Sequence, residues 1–369
     1  MIPINSFFYD FKNKIEELHG YEKERFVNIF WQKIYNMKVP LILRPDNEVI
    51  FLVRNRYEQI NIIGDFNGWG EGETLQRING TDIAYFIRTF PSKSAIEYKF
   101  KIGSNFFLDS LNNHKSTGYF GENSLLMMPH YKRNEELEYK EGATGELIDF
   151  IIHSKYLGYY KQINVYIPSE YDPSKKYDCL FFLDGENYLK YGNMVTILDN
   201  LIGQNKISPV LAFFIETKDY KNEFLFNNDH SRFFIEELIP NIIEKFNITE
   251  KRIIIGNDCS GIGIMNILAI QQGYDAILQS VPFSVFHQEL KTLLQNGIKG
   301  ISSSTIIIQK GKFEYPYNDS LKNEDYEILN FFESKFNIVD ISVFQEGHCW
   351  NNWSNHIIEA IKKWDMILG

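Results

Sequence analysis

The sequence predicts an α/β fold in which a mostly parallel central sheet, covered by helices, is preceded by a small β-sandwich. Three observations predict it. From Leu41 to about residue 130, short apolar runs with a period of two alternate with Gly, Asn and Asp turns. From Ile148 onward, apolar strands alternate with amphipathic helical stretches, the pattern of a parallel sheet covered on both faces. Between them, residues 131–146 (Y-K-R-N-E-E-L-E-Y-K-E-G-A-T-G-E) are charged and poor in large apolar groups, as expected of a linker or the first edge of a second domain. The expected organisation is a helical segment at 1–40 packed on the sandwich, a sandwich at 41–135, and the α/β domain at 145–369.

Each element has its own warrant. Phe7, Phe8, Phe11, Ile15 and Leu18, then Phe26, Ile29, Phe30 and Ile34, recur at helical spacing before Pro40. Val49–Val53, Ile60–Ile63, Ile83–Ile87, Ile96–Ile102 and Phe106–Leu108 read as the sandwich strands. In the second half, Ile148–Ile152, Lys161–Ile167, Cys179–Leu183, Val210–Ile215, Ala276–Gln279, Thr305–Gln309 and Val339–Phe344 read as strands. Helices are expected at Val195–Ile202, Phe233–Phe246, near Leu290, at Tyr326–Lys335 and at Trp353–Ile367.

Composition narrows the function classes. The chain has 369 residues, a net charge of −10, 30 Phe and 22 Tyr, which suits two domains with sizeable cores. With no large Lys/Arg cluster, neither nucleic acid nor an anionic membrane is expected as a partner. Cys179, Cys259 and Cys349 show no paired spacing, so a reduced, cytoplasmic setting is expected. Met1–Lys14 lacks the continuous apolar core of a secretory signal. No run reaches the ~20 apolar residues of a membrane span. Neither a cofactor nor a metal is expected, and a homo-oligomer is left open.

The chemistry centres on Arg252–Gly263, R-I-I-I-G-N-D-C-S-G-I-G. Ile253–Ile255 form a strand that Gly256 ends, and Ile262–Ile270 are helical. A strand-to-helix turn with small residues two before and two after its tip is a nucleophile elbow, since backbone and helix approach closely there. Gly256 and Ser260 are the flanks, so the tip is Asp258, where serine would be expected.

In such a sheet the nucleophile, acid and base follow in chain order at strand ends. His348, in Gln345-Glu-Gly-His-Cys-Trp350, occupies the place of the base. Glu314 is the first candidate to orient it, with Asp319 the alternate. The turn Leu183-Asp-Gly-Glu-Asn187 could supply an oxyanion hole from the N–H groups of Gly185 and Glu186, with that of Cys259; its plainer reading is an ordinary Asp-Gly turn. Ser260 has Asp258 and Ile262 as flanks, too bulky for a tip, and Cys259 is expected to point into the helix, so both are discounted as nucleophiles.

In the sandwich, Gly64-Asp-Phe-Asn-Gly-Trp69, Tyr98-Lys-Phe100 and Leu108–Asn113 together resemble the early-set module found beside glycogen-active enzymes and in front of siderophore esterases. Trp69 is the first candidate for stacking on a sugar, but one Trp in a turn is weak support, and packing at the sandwich edge is the favoured reading.

The second half resembles the enterochelin (ferric siderophore) esterase family of α/β-hydrolases. The resemblance is carried by Leu183–Glu186, Ile197–Leu201 with Ile207–Val210, Glu236–Pro240, Gly256, and Gly347-His348 with Trp350 and Trp353. Phe30-Trp31, Pro40 and Arg77–Tyr85 extend it over nearly the whole chain. The resemblance implies hydrolysis of siderophore esters or other esters by a serine at the tip and a histidine after the last strand. His348 carries over, while Asp258 replaces the serine and Ser260 a glycine. It also implies Arg or Lys side chains for an anionic catecholate substrate, for which Lys221 is a candidate; Trp350 is the second candidate ligand-binding residue.

A carboxylate attacking an ester would form an anhydride by expelling an alkoxide, the worse leaving group, and should revert. Three alternatives remain. Asp258 could attack a saturated carbon, could position a water together with His348, or could mark an inactive homologue that binds a small ligand or a protein. Hydrolysis of an ester or related bond, with serine-esterase activity altered or lost, is placed slightly ahead of pure binding.

Overall fold

The computed structural model describes residues 4–37, 40–43, 47–57, 59–298, 302–314 and 327–368. The chain divides into two compact units. One comprises Met1–Lys132 with Gly311–Tyr317 and Gln345–Cys349; the other comprises Arg133–Lys310, Asn318–Phe344 and Trp350–Gly369.

The first unit begins with two helices, Ile4–Glu17 and Gly20–Met37. Their Phe8, Phe11, Ile15, Val27, Phe30 and Ile34 share a core with Ile50, Leu52, Ile83 and Tyr85. A four-stranded antiparallel sheet follows, in the order Leu41–Leu43, Glu48–Arg54, Ile83–Thr89, Gln76–Arg77. Strand alternation sends Ile50 and Leu52 toward the helices, and Val49, Phe51 and Val53 toward Ile62, Ile96, Tyr98 and Leu126 of a second sheet. That sheet runs Glu73–Thr74, Asn61–Gly64, Ala95–Ile102, Gly121–Met127, Lys115–Gly118, with Asn105–Phe107 also on Ala95–Ile102. Two sheets sharing one apolar core make the sandwich. The hairpin Lys115–Met127 escaped the sequence reading because its first strand is polar and its second begins Gly-Glu-Asn-Ser.

The second unit is built on an eight-stranded sheet, in the order Glu146–His153, Tyr160–Ile167, Val210–Ile215, Tyr177–Leu183, Ile248–Asn257, Asp275–Gln279, Thr305–Gly311, Asn337–Phe344. The first three strands pair antiparallel, and the pairings from Val210–Ile215 through Thr305–Gly311 are parallel. Phe181, Phe213, Ile254 and Leu278 fill one face, and Phe182, Phe214, Ile255 and Ile277 the other. Burial on both faces is why these strands read as continuous apolar runs. The fold is therefore the expected α/β-hydrolase sheet preceded by a sandwich.

Several details differ from expectation. The long helix expected at Phe233–Phe246 is a run of Asn228–Arg232, a π-helical turn Phe233–Leu238, and Ile239–Lys245. Pro240 lacks an N–H and crowds the preceding turn, so widening there is the physical response. Short helices Gly185–Lys190 and Tyr220–Phe224 lie outside the expected elements, the first of them opening in the Leu183–Asn187 turn. Glu135–Leu137, in the charged stretch, is part of the second unit: Leu137 is in its core and Asn200 Nδ2 donates to the Glu136 carbonyl at 2.9 Å. Of the helix expected at Tyr326–Lys335, the first residue lies outside the described residues, and 327–333 are helical. Among the described residues no helix is long and apolar enough to cross a membrane.

Candidate active site

The elbow lies at the C-terminal end of a central strand of the second unit. That strand extends one residue past Gly256, to Asn257, and the helix Cys259–Ile270 starts immediately after Asp258. Asp258 adopts φ 47°, ψ −130°, a strained conformation for a residue with a side chain. The flanks behave as small residues must: a Cβ on Gly256 would lie 2.6 Å from Ser260 Oγ and 2.9 Å from Ile264 Cδ1. Ser260 is buried, and its hydroxyl accepts from the Asn257 N–H (2.8 Å) and donates to the Asn257 carbonyl (2.6 Å). It ties the end of the strand to the start of the helix rather than facing a substrate.

Cys259 packs in part against the apolar core that its helix shares. Its half-buried thiol lies 3.7 Å from Asp258 Oδ1. Burial, then the Asp258 carboxylate, push the thiol pKa up to about 12, so it is no thiolate nucleophile near neutrality. The positive charge of Lys221 acts on the same thiol in the opposite sense, which places this exposed lysine of the Tyr220–Phe224 helix in the neighbourhood of the tip.

Three adjacent parallel strands each end in a residue with positive φ: Asp184 (63°), Asp258 (47°) and Ser280 (54°). The pairings Phe182 with Ile255 and Asn257 with Gln279 set these turns side by side. The Asp258 N–H donates to the Gln279 carbonyl at 2.9 Å, and the Ser280 N–H to the Gln309 carbonyl at 2.7 Å. Asp184 is buried, with Asn187 Nδ2 donating to both carboxyl oxygens at 2.9 and 3.0 Å. Burial pushes its pKa up to about 8, with the charges of Glu186, Asp258 and Glu223 adding to the effect. The hydroxyl of Tyr220 donates to the Asn257 carbonyl at 3.3 Å; burial, then the charges of Asp258 and Asp184, hold this phenol protonated.

The expected oxyanion donors divide. Gly185 and Cys259 are the first residues of their helices, where N–H groups have no intrahelical acceptor. Glu186 is different, because its carboxylate accepts from the Thr217 N–H (3.1 and 3.0 Å) and its own backbone N–H also acts on that carboxylate. Trp350 is likewise a packing residue. Only 7% exposed, it sits against Tyr188, Tyr191 and Trp353, with ring centroids 5.1, 6.0 and 5.0 Å away. That leaves little surface for a ligand.

His348 and Glu314 belong to the first unit. The His348 loop is held by the Ala95 N–H donating to the Gln345 carbonyl (3.2 Å) and the Phe313 N–H donating to the Glu346 carbonyl (3.0 Å). His348 is half-buried; Glu314 is buried and accepts from the Gly311 N–H. Asp319 lies outside the described residues. Against the same loop stands Asp65, whose carboxylate accepts from the Glu97 N–H (2.7 Å) and the Trp69 indole N–H (2.9 Å). Trp69 thus serves the edge of the sandwich. Asp184 entered the sequence reading only as a turn residue, Asp65 only as part of a motif, and nothing around Tyr220 or Ser280 signalled them. Among the described residues no cluster of His, Cys, Asp and Glu could hold a metal ion.

Comparison with known proteins agrees with this architecture. Residues 154–363 match the Esterase family model, described as "Putative esterase". An uncharacterized protein of Bacillus subtilis (strain 168), YjcH, is 24% identical over 241 residues, which is 61% of this chain and 98% of that protein. The ferric enterobactin esterase of Salmonella typhimurium superposes with a TM-score of 0.74 at 14% identity, over 91% of this chain and 99% of that one. The enterobactin esterase of Shigella flexneri, solved in the presence of enterobactin, gives 0.68 at 15%, over 92% and 98%. At such identities the likeness speaks for the fold alone.

Proposed function

The chain belongs to the esterase family described by that model, and from this premise we propose that it hydrolyses an ester or related bond of a siderophore-like or other small molecule without a covalent serine intermediate. The observation that carries the reading is the elbow itself: a strained Asp258 stands where the attacking hydroxyl would be, and the Ser260 hydroxyl and Cys259 thiol are both committed elsewhere. A carboxylate is a poor acyl acceptor for the reason given above, but it is a good partner for a water. In this reading Asp258 holds the attacking water and His348 accepts its proton. The N–H groups of Gly185 and Cys259 receive the developing oxyanion, and Lys221 attracts an anionic substrate. The siderophore class is supported by what the two solved esterases are named for, together with the shared fold.

The test is hydrolysis of aryl esters and of a catecholate serine ester by the wild type, Asp258→Ala and His348→Ala, alongside a fluorophosphonate probe for nucleophilic serine. The expected result is turnover without probe labelling, a loss of about 10²–10⁴-fold in His348→Ala, and a smaller loss in Asp258→Ala. Labelling at Ser260 would overturn the reading, as would equal inertness of all three proteins.

A further inference from the structure

We propose that Asp65, in the Gly64–Trp69 turn of the sandwich, is a positioning residue for His348. The inference deepens the proposed function and rests on it for the role of His348, but its structural grounds are independent. The Asp65 side chain is buried, and both of its oxygens are fastened, Oδ2 by the Glu97 N–H and Oδ1 by the Trp69 indole N–H. A side chain held at two points cannot swing away. The backbone of Gly347 lies directly against this carboxylate, so that any Cβ at position 347 would collide with it. The residue carrying the imidazole therefore follows a glycine whose place is defined by Asp65.

The rest of the loop is tied down in the same unit. Ala95 and Phe313 hold the carbonyls of Gln345 and Glu346, the Tyr131 hydroxyl donates to Glu346 at 3.4 Å, and the Cys349 thiol donates to the Glu97 carboxylate. The titratable groups on or against the His348 loop in this unit are thus Asp65, Glu97, Glu346, Tyr131 and Cys349, with Lys99 acting on Glu97. Glu97 has its own donors, the Ser116 hydroxyl and Asn123 Nδ2 (2.6 Å), whereas Asp65 interacts electrostatically with His348. Burial, then the Glu97 charge, hold Asp65 well above the usual carboxylate range, and its two N–H donors and a cationic His348 oppose this only in part. By reciprocity the ionised form of Asp65 favours the imidazolium. An orienting carboxylate for the base would then come from the sandwich, giving the Gly64–Trp69 motif a use that involves no sugar.

The experiment is an NMR titration of the His348 ring protons in the full chain, assigned with His348→Gln, in the wild type, Asp65→Asn and Glu314→Gln. Asp65→Asn is expected to lower the His348 pKa by about 1 unit, a tenfold change in its protonation equilibrium, with Glu314→Gln shifting it less. Trp69→Phe, which removes only the indole donor, is the second variant should Asp65→Asn fail to fold, and is expected to move the titration in either direction as the carboxylate loosens. An unchanged His348 titration in every folded variant at positions 65 and 69 overturns the proposal. Because the readout needs no substrate, a shift in a protein that hydrolyses nothing would keep the role of Asp65 and sink the hydrolase reading instead.

Discussion

Gly256 and Ser260 meet across the elbow so closely that a methyl group on Gly256 would stand 2.6 Å from the Ser260 hydroxyl oxygen. The same hydroxyl closes the turn by bonding both the N–H and the carbonyl of Asn257. Ser260 is therefore expected to matter for stability rather than for chemistry. Ser260→Ala should destabilise the fold by about 1–3 kcal/mol, the cost of buried polar groups left without their partner, and should leave kcat within a few-fold of wild type. Urea denaturation and steady-state kinetics on one preparation check both halves. Loss of turnover with stability unchanged would mean that the hydroxyl is chemical after all.

Asp184 gives a pH signature. Burial raises its pKa to about 8 in the folded chain, against about 3.9 in an unfolded one. The folded state thus binds a proton that the unfolded state releases. Stability from this group is fully present below about pH 4 and is lost as the pH rises through about 8. Asp184→Asn removes the titration, so the variant should gain on the wild type with rising pH, by up to a few kcal/mol above pH 8. Denaturation midpoints of the two proteins between pH 4 and 9 provide the check; a constant difference across that range would show that Asp184 titrates normally.

Lys161 and Glu223 form a buried pair, 0% and 2% exposed, with Nζ 2.6 Å from Oε2. Burial depresses the lysine pKa and Glu223 opposes that, while Tyr159 also donates to the carboxylate at 2.5 Å. Nearby, burial and then the Lys161 charge lower the His230 pKa to about 3, so this imidazole is neutral beside the intact pair. Lys161→Met is expected to cost about 3–5 kcal/mol by leaving Glu223 buried without its cation, and adding Glu223→Leu to that variant should recover part of the loss. Urea midpoints of the single and double variants measure this. A double variant less stable than the single would argue that the site depends on polar packing rather than charge pairing.

Much of this was legible in the residues. Ile253–Ile255 announced a strand buried on both faces, and the small residues at 256 and 260 located the tip at 258, because close approach restricts side-chain size in a way sequence displays directly. The runs at Val49–Val53 and Ile96–Ile102 marked the sandwich because successive residues of a strand face opposite sides. Polar segments gave no comparable signal. The hairpin beginning at Lys115 and the helix Tyr220–Phe224 are held by partners distant along the chain, which no local pattern names. Trp350 failed as a ligand residue because an aromatic side chain reads alike in a core and at a binding surface, and the hold of the Glu186 carboxylate on the Thr217 N–H joins residues 31 positions apart, which no local pattern shows.

By itself, then, the sequence determined the two kinds of sheet, the elbow and the absence of serine at its tip, all properties of residues within a few positions of one another. Tertiary structure alone decided what surrounds them: the row of Asp184, Asp258 and Ser280 across three parallel strand ends, and the carboxylate of Asp65 beneath Gly347. Periodicity specifies which face of an element is buried. Which distant backbone it meets, and which charge waits there, depends on strand order and on hydrogen bonds between segments that the chain keeps far apart.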